Sequence, residues 1–276
     1  MKKLFVLAMV LSLASLTSAA TYDWDGSDST TWGTAANWNS GITPGTGDIA
    51  RLSVAGATTF PTIVAGQDYT VSALYLGVNS QNNSLTMSGG KLTTLNTTWN
   101  ASLRTATFGT GTFNISGGTI TVGGGVILAY GNNTNTRGVI NMSGGVINIA
   151  GSTAVNAGLC LGITVPSYIL GYGIVNMGMA GIITADDLLM DSANSKITFT
   201  AGSQGAAKIV LKYTTGYGGS NWAAFKSRIT GSAYANKMTN EKFVIDDTGQ
   251  VITIIPEPAT IAMLGLGGLA LLRRKH

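Results

Sequence analysis

The sequence predicts an all-β protein: a right-handed parallel β-helix with a Trp-rich N-terminal cap and a short C-terminal membrane helix. Three observations carry this. Near-identical units recur about every 27 residues, as Ser84–Thr94, Thr112–Val122 and Val139–Ile149, with a degenerate copy at Ile174–Thr184. Periods of that length mark stacked or arrayed architectures. Inside each unit apolar and polar residues alternate, the period of a half-buried strand. Charged residues make up only 10% of the chain and glycines number 38, so short apolar runs broken by Gly, Ser, Thr and Asn dominate, as in extracellular β proteins. A β-sandwich competes as a fold, but it needs no such self-similarity.

Taken in order, residues 1–20 have the layout of a secretory signal peptide. Lys2 and Lys3 precede the apolar stretch Leu4 to Leu16, and Ser18 and Ala20 supply the small residues of the cleavage site. Residues 21–56 break that pattern with Trp24, Trp32 and Trp38 among Asp23, Asp25 and Asp28. The segment resembles the Trp-rich stretch that precedes autotransporter-associated β-strand repeats in surface proteins. A solenoid end must be covered or its core meets water, so a folded cap is expected here. The three tryptophans are also candidates for glycan contact. The aspartates lack the glycine and the twelfth-position Glu of a calcium loop, and no metal site is expected.

The repeats occupy 57–200. Leu85, Met87, Phe113, Ile115, Ile140, Met142, Val175 and Met177 are expected to face inward, with Asn114 and Asn141 facing out and hydrogen-bonding as a ladder. Each Ser-Gly-Gly is a corner, since glycine turns the chain through φ > 0. Shorter runs ending at Gly77, Gly131 and Gly162 look like a second strand type, and an insertion is expected around Thr164 to Tyr172. Cys160 reads as a small buried hydrophobe. Residues 201–252 leave the repeat and are expected to form a C-terminal cap: a strand at Lys208–Tyr213, one amphipathic helix at Asn221–Ile229, and a hairpin at Phe243–Ile255 turning at Asp-Thr-Gly.

Residues 253–276 hold three adjoining parts: Pro256-Glu257-Pro258, an apolar Gly/Leu run from Ala259 to Leu272, and the basic Arg273-Arg274-Lys275. The prolines stiffen an extended segment, and Glu257 lies by the positive end of the helix that would follow. The run has 14 residues, about 21 Å as a helix against a bilayer core of about 30 Å, so it anchors weakly. The pattern resembles the PEP-CTERM sorting signal of Gram-negative bacteria. That resemblance implies export across the inner membrane, transient anchoring, and removal of the tail by the membrane transpeptidase exosortase, with delivery to the cell surface or extracellular matrix.

Function classes narrow by exclusion. Outside the two terminal signals the chain carries 11 cations and 11 anions, so nothing in its charge calls for nucleic acid. Its only histidine is His276, in the tail, and its only cysteine is Cys160. A histidine-based triad or zinc centre has no ligands to use, and no cofactor is expected. The remaining enzymatic reading is a polysaccharide lyase or other carbohydrate-active enzyme on a β-helix, using Asp186, Asp187 and Asp191 with Lys196. No local motif supports that chemistry, and catalytic residues are expected to be none. A non-catalytic surface or matrix protein is expected instead, adhesive or exopolysaccharide-associated, with exosortase, signal peptidase and the secretion machinery as partners.

Overall fold

The computed structural model describes residues 19–53, 59–97, 102–131, 133–150, 158–162, 171–200, 206–214, 221–239 and 241–257. The protein is mostly β, with few helices. Strand β1 (Thr21–Asp23) opens it. Six passes follow: β2 (Ile49–Leu52), β3 (Thr62–Ile63) and β4 (Asp68–Val71); β5 (Ala73–Leu76) and the long β6 (Asn82–Thr94); β7 (Leu103–Arg104) and β8 (Thr110–Val122); β9 (Val126–Leu128), β10 (Arg137–Met142) and β11 (Val146–Ile149); β12 (Leu159–Leu161), β13 (Tyr172–Met177) and β14 (Ile182–Ala185); and β15 (Leu188–Leu189), β16 (Lys196–Phe199) and β17 (Lys208–Lys212). Helices α1 (Trp222–Thr230) and α2 (Ser232–Ala235), then β18 (Met238–Thr239), β19 (Glu241–Asp246) and β20 (Val251–Pro256), complete the described chain.

The passes stack in parallel and in register. A seven-stranded sheet runs β1-β2-β5-β7-β9-β12-β15, and a 13-stranded sheet collects the remaining strands. In the latter, Leu85 pairs with Phe113, Phe113 with Ile140, Ile140 with Val175, and Val175 with Ile197. Met87, Ile115, Met142, Met177 and Phe199 form the neighbouring column. All eight residues expected to face inward are buried in one continuous core. Burial of each such side chain is worth about 1.5–3 kcal/mol.

The stack is longer than the recognisable repeats. β2 lies within the expected N-terminal cap yet pairs with β5, and β17 lies within the expected C-terminal cap yet pairs with β14. These outer passes lack Ser-Gly-Gly and so do not share the sequence of the repeat. In the first of them the corner is a Val64–Gln67 turn, with Gly66 at φ 81° and Gln67 N–H donating to the Val64 carbonyl at 3.1 Å. The insertion expected around Thr164 to Tyr172 falls largely outside the described residues.

The Ser-Gly-Gly corners work as the sequence suggests, for a reason only the stack supplies. Gly118 has φ 82°, and a Cβ there would sit 2.5 Å from the Gly89 carbonyl oxygen one pass below. The shorter runs also end at a turn, but the middle one ends earlier than its glycine. Register places Ala129, not Gly131, beside Gly162 and in the position of Gly77. The three take φ 66°, 70° and 62°.

The far end is closed by a change of direction. β20 runs antiparallel on β17, and β19 antiparallel on β20, so the expected hairpin forms with its turn after Asp246. Helix α1 begins at Asn221, whose Oδ1 accepts from Ala224 N–H at 2.9 Å, and buries Phe225 and Ile229. The second helix, α2, has no counterpart in the expected single helix. Among the described residues no helix is long and apolar enough to cross a membrane; the Ala259–Leu272 run lies outside them.

Two substitutions test the corners. Gly118→Ala should cost about 2–3 kcal/mol, because a strained φ adds to a clash with backbone. Ala129→Gly should instead stabilise by about 0.5–1 kcal/mol by relieving a left-handed alanine. Urea unfolding midpoints of both variants against the parent check the opposite signs.

Candidate functional site

The outward face of the 13-stranded sheet carries a groove of about 350 Å³. Its polar side chains are Thr86, Asn114, Ser116, Asn141, Ser143, Asn176 and Thr200. Strand alternation puts it there: Phe113, Ile140 and Val175 turn inward, so Asn114, Asn141 and Asn176 turn out. Asn141 Nδ2 donates to Asn114 Oδ1 at 2.9 Å, and Asn176 Nδ2 to Asn141 Oδ1 at 2.8 Å. The ladder expected of two residues runs over three. Each bond fixes the orientation of the amides that it joins. No lining residue carries a charge. Such a surface offers fixed donors and acceptors to a neutral polar ligand without demanding a counter-ion.

The three tryptophans do not join it. Trp24, Trp32 and Trp38 are 0–1% exposed, which corrects the reading of them as glycan contacts: no ring face is open to a sugar. They pack edge to face, Trp24 on Trp38 at 5.2 Å and Trp32 on Trp38 at 4.9 Å between centroids. Trp38 Nε1 donates to the Trp32 carbonyl and Trp24 Nε1 to the Thr59 carbonyl, both at 2.9 Å. They are the plug of the first pass.

The neighbouring aspartates are engaged structurally. Asp25 Oδ1 accepts from Ser27 N–H, while Asp28 N–H donates to the buried Asn37. Asp23 takes both fork nitrogens of Arg51, at 2.5 and 2.7 Å, and the Ser53 hydroxyl at 2.8 Å. Burial pushes the Asp23 carboxyl up, but the hydrogen bonds from Arg51 and Ser53 and the Arg51 charge outweigh it and hold the carboxyl below its ordinary value. Among the described residues no cluster of three or more His, Cys, Asp or Glu could hold a metal ion.

Asp186 and Asp187, two carboxylates of the lyase reading, are both withdrawn from solvent. Asp187 is 3% exposed. It pairs with Arg228 of α1 and accepts from Leu188 N–H at 2.7 Å. Burial nevertheless raises its carboxyl above the ordinary range, against the pull of Arg228. Asp186 is half-buried and also raised by burial, opposed by Thr214 and by Lys212. The cations acting on the pair are thus Arg228 and Lys212, not Lys196. Cys160 is buried, and loss of hydration pushes its thiol far above the usual range, so it is no nucleophile.

The terminal signals frame this body. Ala20 is exposed, and its carbonyl accepts from Ile49 N–H at 2.8 Å, so the expected cleavage position directly precedes β1; Ser18 lies outside the described residues. At the other end β20 carries the chain to Pro256, which is buried opposite Glu241, and Glu257 emerges exposed. Pro258, Arg273, Arg274 and Lys275 lie outside the described residues. No linker separates the last strand from Glu257.

Residues 255–275 match the family model of the PEP-CTERM protein-sorting motif. The match covers the motif and not the repeats. No curated protein and no solved structure matches the chain. The motif indicates an exported protein sorted by exosortase, with membrane-associated processing at its C-terminus.

The Asp23 site yields a pH prediction. A carboxyl held below its unfolded value contributes stability above that value, near pH 4, and loses it as pH falls through the lower folded value. Asp23→Asn should therefore cost about 1–2 kcal/mol at pH 7 and flatten the loss of stability below about pH 4. Unfolding free energies of parent and variant from pH 7 to pH 2.5 measure both.

Proposed function

We propose that the protein is a non-catalytic surface or extracellular-matrix component whose body is a right-handed parallel β-helix holding exopolysaccharide along its amide-lined face. The uncharged groove over Asn114, Asn141 and Asn176 carries this reading. Neutral polysaccharides present many hydroxyls along an extended chain, and a ladder of fixed amides at strand spacing (about 4.8 Å) meets them repeatedly. The in-register parallel pairing of like residues supports the β-helix. The Trp-rich plug ahead of the stack is in keeping with the resemblance to autotransporter-associated repeats.

In this reading signal peptidase removes residues 1–20. The apolar tail then holds the exported protein transiently in the membrane, and exosortase acts where Glu257 leaves β20. Cleavage frees or transfers a folded body to the surface. The lyase alternative loses support from Asp187, whose carboxylate is sequestered by Arg228.

Two experiments test the reading. Mass spectrometry of surface-extracted protein, from hosts with and without exosortase, should show loss of Leu264 to Lys275 only in the competent host. Glu257→Ala should accumulate uncleaved protein in the membrane fraction, with the body still folded. A mature surface species retaining Leu264 to Lys275 would instead indicate a simple membrane anchor.

Separately, a glycan array should show binding to neutral polysaccharide that weakens at least several-fold in an Asn114→Ala/Asn141→Ala double variant. Calcium-dependent release of unsaturated product from uronic-acid polymers, lost in Asp187→Ala, would identify a lyase.

A further inference from the structure

On the seven-stranded sheet one column, turned away from the main core, runs Asp23, Arg51, Tyr75, Arg104, Ile127, Cys160, Leu189 through successive passes; Ile127 and Cys160 form a small buried cluster of their own, against which Tyr130 packs. Arg51 is answered by Asp23 one rung away. Arg104 is answered by no carboxylate: the ion pairs among the described residues join Arg51 to Asp23, Lys226 to Asp247 and Arg228 to Asp187. Its guanidinium instead packs against two aromatic rings, 4.8 Å from the Tyr75 centroid and 4.5 Å from that of Tyr130. Tyr75 comes from the preceding pass. Tyr130 reaches back because Ala129 takes φ 66° and turns the chain at the end of β9.

A guanidinium packed against two aromatic rings loses freedom and part of its hydration, which prepares it for an anion. Its Nε is shielded from solvent and has no hydrogen-bond partner. That leaves the two terminal nitrogens as the reachable fork, the pair that binds both oxygens of one carboxylate in its own plane. A planar fork of two N–H donors matches the two oxygens of a flat carboxylate. The phenol hydroxyls of the two neighbouring tyrosines are suited to sugar hydroxyls.

We propose that Tyr75, Arg104 and Tyr130 form a second binding site, specific for the carboxylate of a uronic-acid residue in an acidic polysaccharide. This deepens the glycan-associated reading of the protein, but it rests on another sheet and on other residues than the neutral groove.

The test is calorimetric titration of the exported protein with trigalacturonic acid, with its methyl ester, and with sodium sulfate. The acid should bind, and the ester should bind at least tenfold more weakly. Arg104→Gln should weaken the acid at least tenfold. Arg104→Lys should lose several-fold, since it keeps the charge but not the fork. Tyr75→Phe/Tyr130→Phe, which removes only hydroxyls, should also lose several-fold and guards against misfolding of the arginine variants; circular dichroism and thermal melts verify each fold. Equal affinity for acid and ester, or for sulfate and acid, would overturn the assignment. Uronate binding that survives Arg104→Gln and disappears in Asn114→Ala/Asn141→Ala would also overturn it. That last result would move the ligand to the groove while leaving the glycan-associated reading intact.

Discussion

In-register parallel pairing between passes is the constraint on which the rest depends. Each strand finds its partner one pass away, so every corner must bring the chain back at the same height within a fraction of an ångström. The Ser-Gly-Gly corners meet this by running glycines over the backbone carbonyls of the pass below, so close that an added Cβ would collide. Once register is held, inward residues form continuous columns and outward residues form ladders. The core and the candidate binding surfaces are therefore two products of one alignment.

Such a stack has two open ends, and each is closed by different physics. At the start, three indoles interlock edge to face beneath the first pass, with Asn37 and the Asp23–Arg51 pair tying the loops around them. At the finish, the parallel ladder gives way to an antiparallel hairpin, and α1 lays Phe225 and Ile229 on the core while its Arg228 pairs with buried Asp187. A charge pair buried this way adds little net stability, but removing one partner would strand the other. The finish also matters for export. The last strand of the described chain, β20, runs directly into the sorting motif, so a folded body would stand close against the membrane while the tail is handled.

The two outer faces differ in how they treat charge. On the 13-stranded sheet, Asn and Thr repeat in successive passes and give an uncharged, hydrogen-bonding groove. On the seven-stranded sheet the column turned away from the main core changes from rung to rung. It sets one arginine against two tyrosines, without the carboxylate that its counterpart Arg51 enjoys. Periodic sequence thus produces a uniform face, and departure from periodicity produces a local one.

The sequence by itself determined the mostly-β class, the period of the repeats, the inward set from Leu85 to Met177, the outward Asn114–Asn141 ladder, the terminal hairpin, and the sorting motif. All of these are set by local alternation or by adjoining residues, which a linear reading sees directly. The tertiary structure alone decided that Trp24, Trp32 and Trp38 are buried rather than displayed, that Asp187 is sequestered, that the run ending in Gly131 turns at Ala129, and that Arg104 packs against Tyr75 and Tyr130. Each of those depends on partners from 6 to 41 residues away, or on register between passes. Exposure and pairing are set by what lies one rung over, and a tryptophan or an aspartate has the same letter whether it faces water or a neighbouring coil of chain.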